Sequence, residues 1–332
     1  MTNQPLKLFL YSFRDYDEKK YFDDLSRERH FSYSASADFP SLENAHWLEG
    51  FDAVSLTPTK VSEQLLEAFH SYGIRYILTR SIGYDHIDLN KTRELGMKVS
   101  HVSYPPEAVA DYAIMLMMMN LRKMPYLMAQ SALQNFSLPN KMGRSICDST
   151  VGVIGTGQIG QTVISHLSAF GCRILAFDPY VNDAIKDKCE YVSLDALLKQ
   201  SDVISLHAPA TEENYHLLDA TAFSQMKDGA VVVNTARGTL IDTDALIAAL
   251  ESGKLFGAAL DVLEDEVGLY YLDRSNDCIA NRQMAVLRSF PNVILTPHTA
   301  FYTEQTIRGM AQSTVDCLFD MANKIDNPLI IS

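Results

Sequence analysis

The feature that most restricts this chain is the run Gly155-Thr156-Gly157-Gln158-Ile159-Gly160. A G-x-G-x-x-G run alone is a weak signal. Here it follows an apolar stretch, Val151-Gly152-Val153-Ile154, and opens a helical pattern from Gln158 to Phe170. The next strand pattern, Arg173 to Phe177, ends on Asp178, about 20 residues on, so the context of a dinucleotide-binding turn is complete. Gly155 permits a tight turn, Gly157 lets the backbone approach a pyrophosphate, and Gly160 allows close helix–strand packing. The helix N-terminus stabilises the phosphate charge. A carboxylate at Asp178 accepts hydrogen bonds from the adenosine ribose and repels a 2′-phosphate. Pro179 and Tyr180 follow it, with no Arg or Lys at hand, so the expected cofactor is NAD rather than NADP.

Around this motif, short apolar strands alternate with amphipathic segments. Strand patterns fall at Lys7–Tyr11, Asp52–Leu56, Arg75–Leu78 and Lys98–Val102, with helical patterns such as Val61–Ser71 and Ile87–Leu95 between them. From Thr150 a second series begins, at Val151–Ile154, Arg173–Phe177, Val203–Leu206, Ala230–Asn234, Gly257–Asp261 and Val293–Thr296, which predicts six strands. Such alternation implies parallel sheets covered by helices. The expectation is an α/β protein of two doubly wound parallel-sheet domains, which 332 residues can supply. Tyr104-Pro105-Pro106 is a breaker. After it a single long helix is expected from Glu107 to Gln130, with a methionine stripe (Met115, Met117, Met118, Met119) read as buried packing. The tail, Thr303 to Ala322, reads as one more amphipathic helix.

Charge and composition exclude several classes of partner. The net charge of −13 disfavours nucleic acid and anionic membranes, which demand clustered Lys and Arg. The longest apolar run, Ala113 to Met119, is far short of the roughly 20 residues that span a bilayer. Met1 to Leu10 lacks the charged and apolar regions of a signal peptide. Five scattered cysteines form no C-x-x-C pair, so a reduced, cytoplasmic protein without a metal site is expected.

Ligands in doubly wound sheets bind at the strand C-terminal ends. Here those ends carry Asn234-Thr235-Ala236-Arg237-Gly238, then Asp261 with Glu264-Asp265-Glu266, then Pro297-His298. One Arg, one acid and one His therefore converge on the edge that carries the glycine loop.

On these residues the chain resembles the D-isomer-specific 2-hydroxyacid dehydrogenase family. The carriers are the glycine loop, Asn234-Thr235-Ala236-Arg237-Gly238, Ala259-Leu260-Asp261-Val262 and Thr296-Pro297-His298-Thr299-Ala300-Phe301. Within the family it most resembles the bacterial fermentative, NAD-dependent D-lactate dehydrogenases. Supporting stretches are Ala176-Phe177-Asp178-Pro179-Tyr180, Asp202-Val203-Ile204-Ser205-Leu206-His207 and Glu213-Asn214-Tyr215-His216-Leu217-Leu218.

The resemblance implies a Rossmann-type NAD domain, residues 104–299, inserted into a flavodoxin-like substrate domain of residues 1–103 plus 300–332. Closure about the two crossings would bring Ile82 and Gly83 towards Arg237. The implied reaction is reversible, NADH-dependent reduction of pyruvate to D-lactate. Arg237 pairs with the substrate carboxylate, because its planar fork suits two parallel hydrogen bonds. His298 exchanges the proton with the carbonyl oxygen, and Glu266 holds the imidazole and favours its charged form.

By the same resemblance, Ile82 and Gly83 meet the carboxylate through backbone N–H groups, and Tyr104 and Phe301 wall the substrate. Gln158, Ile159, Ala208, Pro209, Asn214, Thr235 and Ala236 line the cofactor with Thr156, and Asp261 lies at its nicotinamide end. His101, His207 and His216 read as structural. Ser103 stands where relatives often carry Pro, and Val267 to Ala285 is an irregular insert to which no chemistry is assigned. A homodimer or homotetramer is implied.

Alternatives remain open. One is the same chemistry on larger 2-oxo acids such as 2-oxoisocaproate or phenylpyruvate, or a D-lactate supply role like that of glycopeptide-resistance relatives. Another is an NADH-sensing, corepressor-like binding protein, against which the intact Arg237, Glu266 and His298 set argues. Formate dehydrogenases of the family carry Gln at the position of Glu266. Asp178 makes the cofactor reading testable: kcat/KM for reduction should be higher with NADH than with NADPH, and the reverse order would overturn it.

Overall fold

The computed structural model describes residues 5–332; the sequence reading of Met1 to Leu10 extends over Met1–Gln4, which lie outside the described residues. The chain divides into two compact units. One runs through Pro105 and resumes at Tyr302–Ser332; the other is Pro106–Phe301.

The first unit holds five parallel strands: β1 Lys7–Leu10, β2 Ser32–Ala35, β3 Ala53–Leu56, β4 Tyr76–Thr79 and β5 Lys98–Ser100. Their order, β2-β1-β3-β4-β5, reverses between β1 and β3. All four residues of β3 are buried, as a parallel strand covered on both faces requires. Helix Glu63–Ser71 begins where Ser62 Oγ accepts the Leu65 N–H. The C-terminal helix Glu304–Asn323 packs on β4, β5 and helix Lys19–Arg29, so the tail belongs to this unit.

A buried ion pair ties this sheet together at its C-terminal edge. Arg80, one residue past β4, has no exposed side-chain surface, and its Nε lies 2.9 Å from Glu18 Oε1. Its Nη1 donates to Ser55 Oγ on β3 at 3.0 Å, and its Nη2 donates to the Tyr11 carbonyl, just past β1, at 2.7 Å. Three strand ends thus converge on one guanidinium, whose rigid fork can serve all three at once.

The second unit holds seven parallel strands: β6 Thr150–Ile154, β7 Arg173–Phe177, β8 Glu190–Tyr191, β9 Val203–Leu206, β10 Ala230–Asn234, β11 Leu255–Leu260 and β12 Val293–Leu295. Their order is β12-β11-β10-β9-β6-β7-β8. The direction of winding reverses between β6 and β9, which places the crevice for a dinucleotide beside the β6 turn. Gly152 lets helix Leu194–Gln200 lie close on β6: a Cβ there would fall 2.4 Å from Ser201 Oγ and 2.6 Å from Leu197 Cδ2.

Three expectations need correction, and two elements of the first unit went unread. The second sheet has seven strands, not six, because β8 is a two-residue edge strand, Glu-Tyr, with no apolar run to reveal it. Strand β2, Ser-Tyr-Ser-Ala, is likewise a mostly exposed edge, and helix Lys19–Arg29 buries only Phe22 and Leu25; neither was read from the sequence. The helix expected from Glu107 to Gln130 is two helices, Glu107–Leu121 and Met124–Ala132. Pro125 cannot donate to Leu121 O, Lys123 turns left-handed (φ 52°), and the Leu121 carbonyl accepts the Arg144 N–H instead. Of the methionine stripe, Met117 is buried, Met118 and Met119 are half-buried, and Met115 is exposed.

Removing one partner of the Arg80–Glu18 pair leaves the other buried and unpaired. Arg80→Ala should therefore lower the unfolding free energy by roughly 3–5 kcal/mol in urea titrations. A loss below about 1 kcal/mol, the range of an exposed pair, would remove the pair as the tie of this sheet.

Candidate functional site

The glycine loop follows β6. Gly155 has φ +93°, and a Cβ there would fall 2.6–2.7 Å from the backbone of His207 and Ala208. A Cβ on Gly160 would fall 1.9 Å from the Gly155 carbonyl oxygen. Both are therefore demanded by the protein's own packing. Gly157 differs: it caps helix Gln158–Leu167, and a Cβ there would meet nothing within 4 Å. The space it leaves open lies at a helix N-terminus, where an anionic group is stabilised, so the loop fits a pyrophosphate-bearing cofactor.

Asp178 closes the loop from β7. Its Oδ2 accepts the Thr156 N–H at 2.7 Å and the Thr156 hydroxyl at 3.1 Å, and its Oδ1 accepts the Tyr180 N–H at 2.8 Å. A carboxylate can accept about four hydrogen bonds, so capacity remains for a ribose hydroxyl. After β9, Asn214 Nδ2 donates to the Pro209 carbonyl at 3.0 Å and closes the turn carrying Ala208 and Pro209. Thr235 Oγ1, just past β10, is buried with no hydrogen-bond partner, a polar atom that a bound ligand could satisfy.

His207 has a structural place. Its Nε2 lies 2.8 Å from Ser205 Oγ, and burial pushes its pKa down to about 4. It stays neutral at neutral pH, and it weakens the fold as pH falls from about 6.5 towards 4, where the unfolded chain takes up the proton first. His216 likewise pairs with Glu264, at 2.7 Å, under a stacked Tyr215 ring.

The remaining groups follow three adjacent strands. At the end of β10, Asn234 braces the turn that follows: its Nδ2 donates to the Arg237 carbonyl at 2.8 Å and its Oδ1 accepts the Ala236 N–H at 3.0 Å. Arg237 Nη1 donates to the Ala236 carbonyl at 2.8 Å. A Cβ on Gly238 would lie 2.0 Å from the Leu263 carbonyl carbon, so this turn presses on the loop that follows β11. In that loop Glu266 Oε2 accepts the Leu263 N–H at 2.9 Å, and Glu266 Oε1 faces His298 Nδ1 at 2.5 Å.

His298 stands past β12 with a left-handed backbone, φ 53°. Asp261, with no exposed surface, holds it there. Its carboxylate accepts Thr296 Oγ1 at 2.5 Å and the N–H groups of Thr299 and Ala300 at 2.9 Å, and its carbonyl accepts the His298 N–H at 2.8 Å. The Phe301 ring stands edge-on to the imidazole, centroids 6.4 Å apart.

The geometry therefore joins Arg237, Asp261, Glu266, His298 and Phe301 at one edge, and Gly155, Thr156, Gly160, Asp178 and Ala208 around the β6 turn. Gln158 and Ile159 open the helix that Gly157 caps. Ile82, Gly83 and Tyr104 belong to the other unit. There the loop past β4 is drawn in by Ser81 Oγ, which donates to the Gly83 carbonyl at 2.5 Å and lies 2.8 Å from Thr79 Oγ1. Tyr104 sits against Gly309 of the C-terminal helix, whose added Cβ would be 3.5 Å away.

The sequence reading missed Tyr270 and Tyr271 of the insert. Tyr270 is buried, and Tyr271 donates its hydroxyl to the His298 carbonyl at 2.8 Å. Their only signal was an aromatic pair inside a polar stretch. A cavity of about 410 Å³, lined in part by Tyr126, Gly229, Leu255, Phe256 and Asn292, opens at the N-terminal ends of β10–β12, away from these groups. No helix among the described residues is long and apolar enough to cross a membrane.

Residues 114–300 match the NAD binding domain of the D-isomer specific 2-hydroxyacid dehydrogenases. The chain is 43% identical over 304 residues to a D-specific alpha-keto acid dehydrogenase of Enterococcus faecalis, covering 91% of this chain and 93% of that one. It is 40% identical over 319 residues to a D-lactate dehydrogenase of Escherichia coli, covering 95% and 97%. A solved D-2-hydroxyisocaproate dehydrogenase has a TM-score of 0.86 at 34% identity, with 98% of this chain and 99% of that one covered.

Gly157 and Gly160 should separate in experiment. Gly157→Ala should leave the melting temperature within a degree or two and weaken NADH binding at least about tenfold by fluorescence titration, because only the ligand needs that space. Gly160→Ala should lower the melting temperature, because its Cβ meets backbone. Equal effects of the two on NADH binding and on stability would overturn this division.

Proposed function

The chain belongs to the D-isomer specific 2-hydroxyacid dehydrogenase family, and on that premise we propose that this NAD-dependent oxidoreductase reversibly reduces pyruvate to D-lactate. The observation that carries the reading is the imidazole–carboxylate pair at the strand ends, His298 Nδ1 to Glu266 Oε1, beside the turn of Arg237. Bound NADH supplies the hydride; the chain supplies orientation, charge and the proton.

Since Nδ1 faces Glu266, Nε2 is the atom left to give its proton to the carbonyl oxygen during reduction, or to take the hydroxyl proton during oxidation. The Glu266 carboxylate holds the ring and compensates the charge that the imidazolium carries. Arg237 receives the substrate carboxylate through its planar fork. In the other unit, the backbone N–H groups of Ile82 and Gly83 are suited to a carboxylate and Tyr104 to a substrate wall, as Phe301 is in this one. Gln158, Ile159, Pro209, Asn214, Thr235 and Ala236 line the cofactor. Residues 1–103 with 300–332 form the substrate domain, and 104–299 the cofactor domain.

The similarity to a D-lactate dehydrogenase supports pyruvate. A second reading, reduction of larger 2-oxo acids such as 2-oxoisocaproate or phenylpyruvate, is favoured by the 0.86 TM-score to D-2-hydroxyisocaproate dehydrogenase. The cysteines carry no disulfide, which fits a cytoplasmic enzyme. Exposed Leu133, Phe136, Leu138 and Met142 fit a homodimer or homotetramer.

The test is NADH oxidation with pyruvate, 2-oxoisocaproate and phenylpyruvate, followed by product chirality. Pyruvate should give the highest kcat/KM, and the product should be the D-isomer. A higher value on a larger acid selects the second reading, and an L-product overturns both. His298→Gln should lower kcat by about 10²–10⁴ with little change in NADH affinity, and unchanged kcat would remove it as proton donor. Arg237→Lys should mainly raise KM for pyruvate, because an ammonium cannot reproduce the fork.

A further inference from the structure

The irregular segment after β11 carries no helix or strand between Asp265 and Asn281, yet its backbone is far from relaxed. Asp265 (φ 54°) and Tyr271 (φ 64°) are left-handed, as is Gly268 (φ 82°). Each such non-glycine residue costs roughly 1–2 kcal/mol and persists only where surrounding contacts impose it.

Those contacts converge on the proton-transfer pair. The N–H groups of Leu269 and Tyr270 both reach the Glu266 carbonyl, at 3.0 and 3.3 Å. Tyr270 is 7% exposed and packs into the core of its unit with Leu263, Leu260 and Leu287. Burial, then the nearby Glu266 and Asp261 carboxylates, pushes its phenol up, so it stays neutral. The next residue, Tyr271, donates its hydroxyl to the His298 carbonyl at 2.8 Å, with the two rings 6.4 Å apart. Behind them Arg274 Nη2 donates to the Gly268 carbonyl at 3.0 Å and Arg274 Nη1 pairs with Asp277 at 2.9 Å, which closes the segment on itself.

Three consecutive residues therefore hold the backbones of both partners, Glu266 on one side and His298 on the other. Asp261 holds the His298 N–H with its carbonyl and the Thr299 N–H of the following peptide with its carboxylate. Tyr271 holds the His298 carbonyl, and His298 keeps its left-handed conformation between the two.

We propose that Leu269–Tyr271 is a clamp on the His298–Glu266 pair, and that Tyr271 is a positioning residue for proton transfer, acting through the His298 backbone. This rests on His298 being the proton donor. Losing the phenol hydroxyl removes the bond to the His298 carbonyl and leaves the backbone on either side of His298 to Asp261, and a small misplacement of a proton donor is costly in rate.

The experiment uses Tyr271→Phe, which removes one oxygen and leaves the ring. Two readouts are taken on the full chain. In turnover with pyruvate, kcat should fall about three- to tenfold while the NADH dissociation constant stays within about twofold. In the protein without substrate, labelled with ¹⁵N-histidine, the downfield resonance of the Nδ1 proton shared with Glu266 should broaden through exchange with solvent.

The proposal is overturned if either readout matches the parent, including the case where only the melting temperature falls. Should His298→Gln leave kcat unchanged, the proton-donor reading has failed, and the resonance alone then decides whether the clamp exists.

Discussion

Asp261 has no exposed surface, and both of its carboxylate oxygens are engaged by the loop that carries His298. Charge-assisted hydrogen bonds of this kind contribute roughly 1.5–3 kcal/mol each. Together they hold a left-handed histidine, a conformation that costs roughly 1–2 kcal/mol. The imidazole can therefore point at Glu266 from a conformation that the chain would not adopt unaided. Tyr271 bonds to the His298 carbonyl, on the same peptide whose N–H, that of Thr299, Asp261 already holds.

The other unit solves a similar problem with the opposite charge. Past the ends of β1, β3 and β4, Arg80 is buried against Glu18, and its remaining donors reach Ser55 Oγ and the Tyr11 and Ser12 carbonyls. In both units a polar side chain without exposed surface gathers the C-terminal ends of neighbouring parallel strands. Loops leave those ends, and loops have few backbone partners of their own. A central, multiply bonded charge supplies the missing partners. The net charge of −13 describes the surface around such sites rather than their interior, where Arg237 and the helix that begins past Gly157 provide local positive potential.

Legibility in the sequence followed burial. Strands β3, β9 and β10 are buried along their whole length, and each showed as an apolar run. The edge strands β2 and β8 have solvent on them, so their residues carry no apolar pattern to read. The helix break at Lys123 turned on where the Leu121 carbonyl finds a donor, and that donor, the Arg144 N–H, lies 23 residues away in the chain (144 − 121). Gly155, Gly160 and Asp178 were recognisable because their geometry is local: a turn, a helix start and the end of the next strand. Tyr271 was not, since its partner His298 lies 27 residues further on.

By itself the sequence determined the alternation of strands and helices, the dinucleotide turn, the acid that favours NAD, and the presence of Arg237, Glu266 and His298 at strand ends. These depend on hydrophobic period and on short spacings, which a linear chain displays. Only the tertiary structure decided that Gly157 leaves space the protein does not need and that Asp261 is a hub for the His298 loop. It alone decided that a segment without helix or strand bonds to the backbones of both Glu266 and His298. Each of these is a relation between backbone atoms brought together by folding, and hydrogen bonds between remote segments leave no periodic trace in the order of residues.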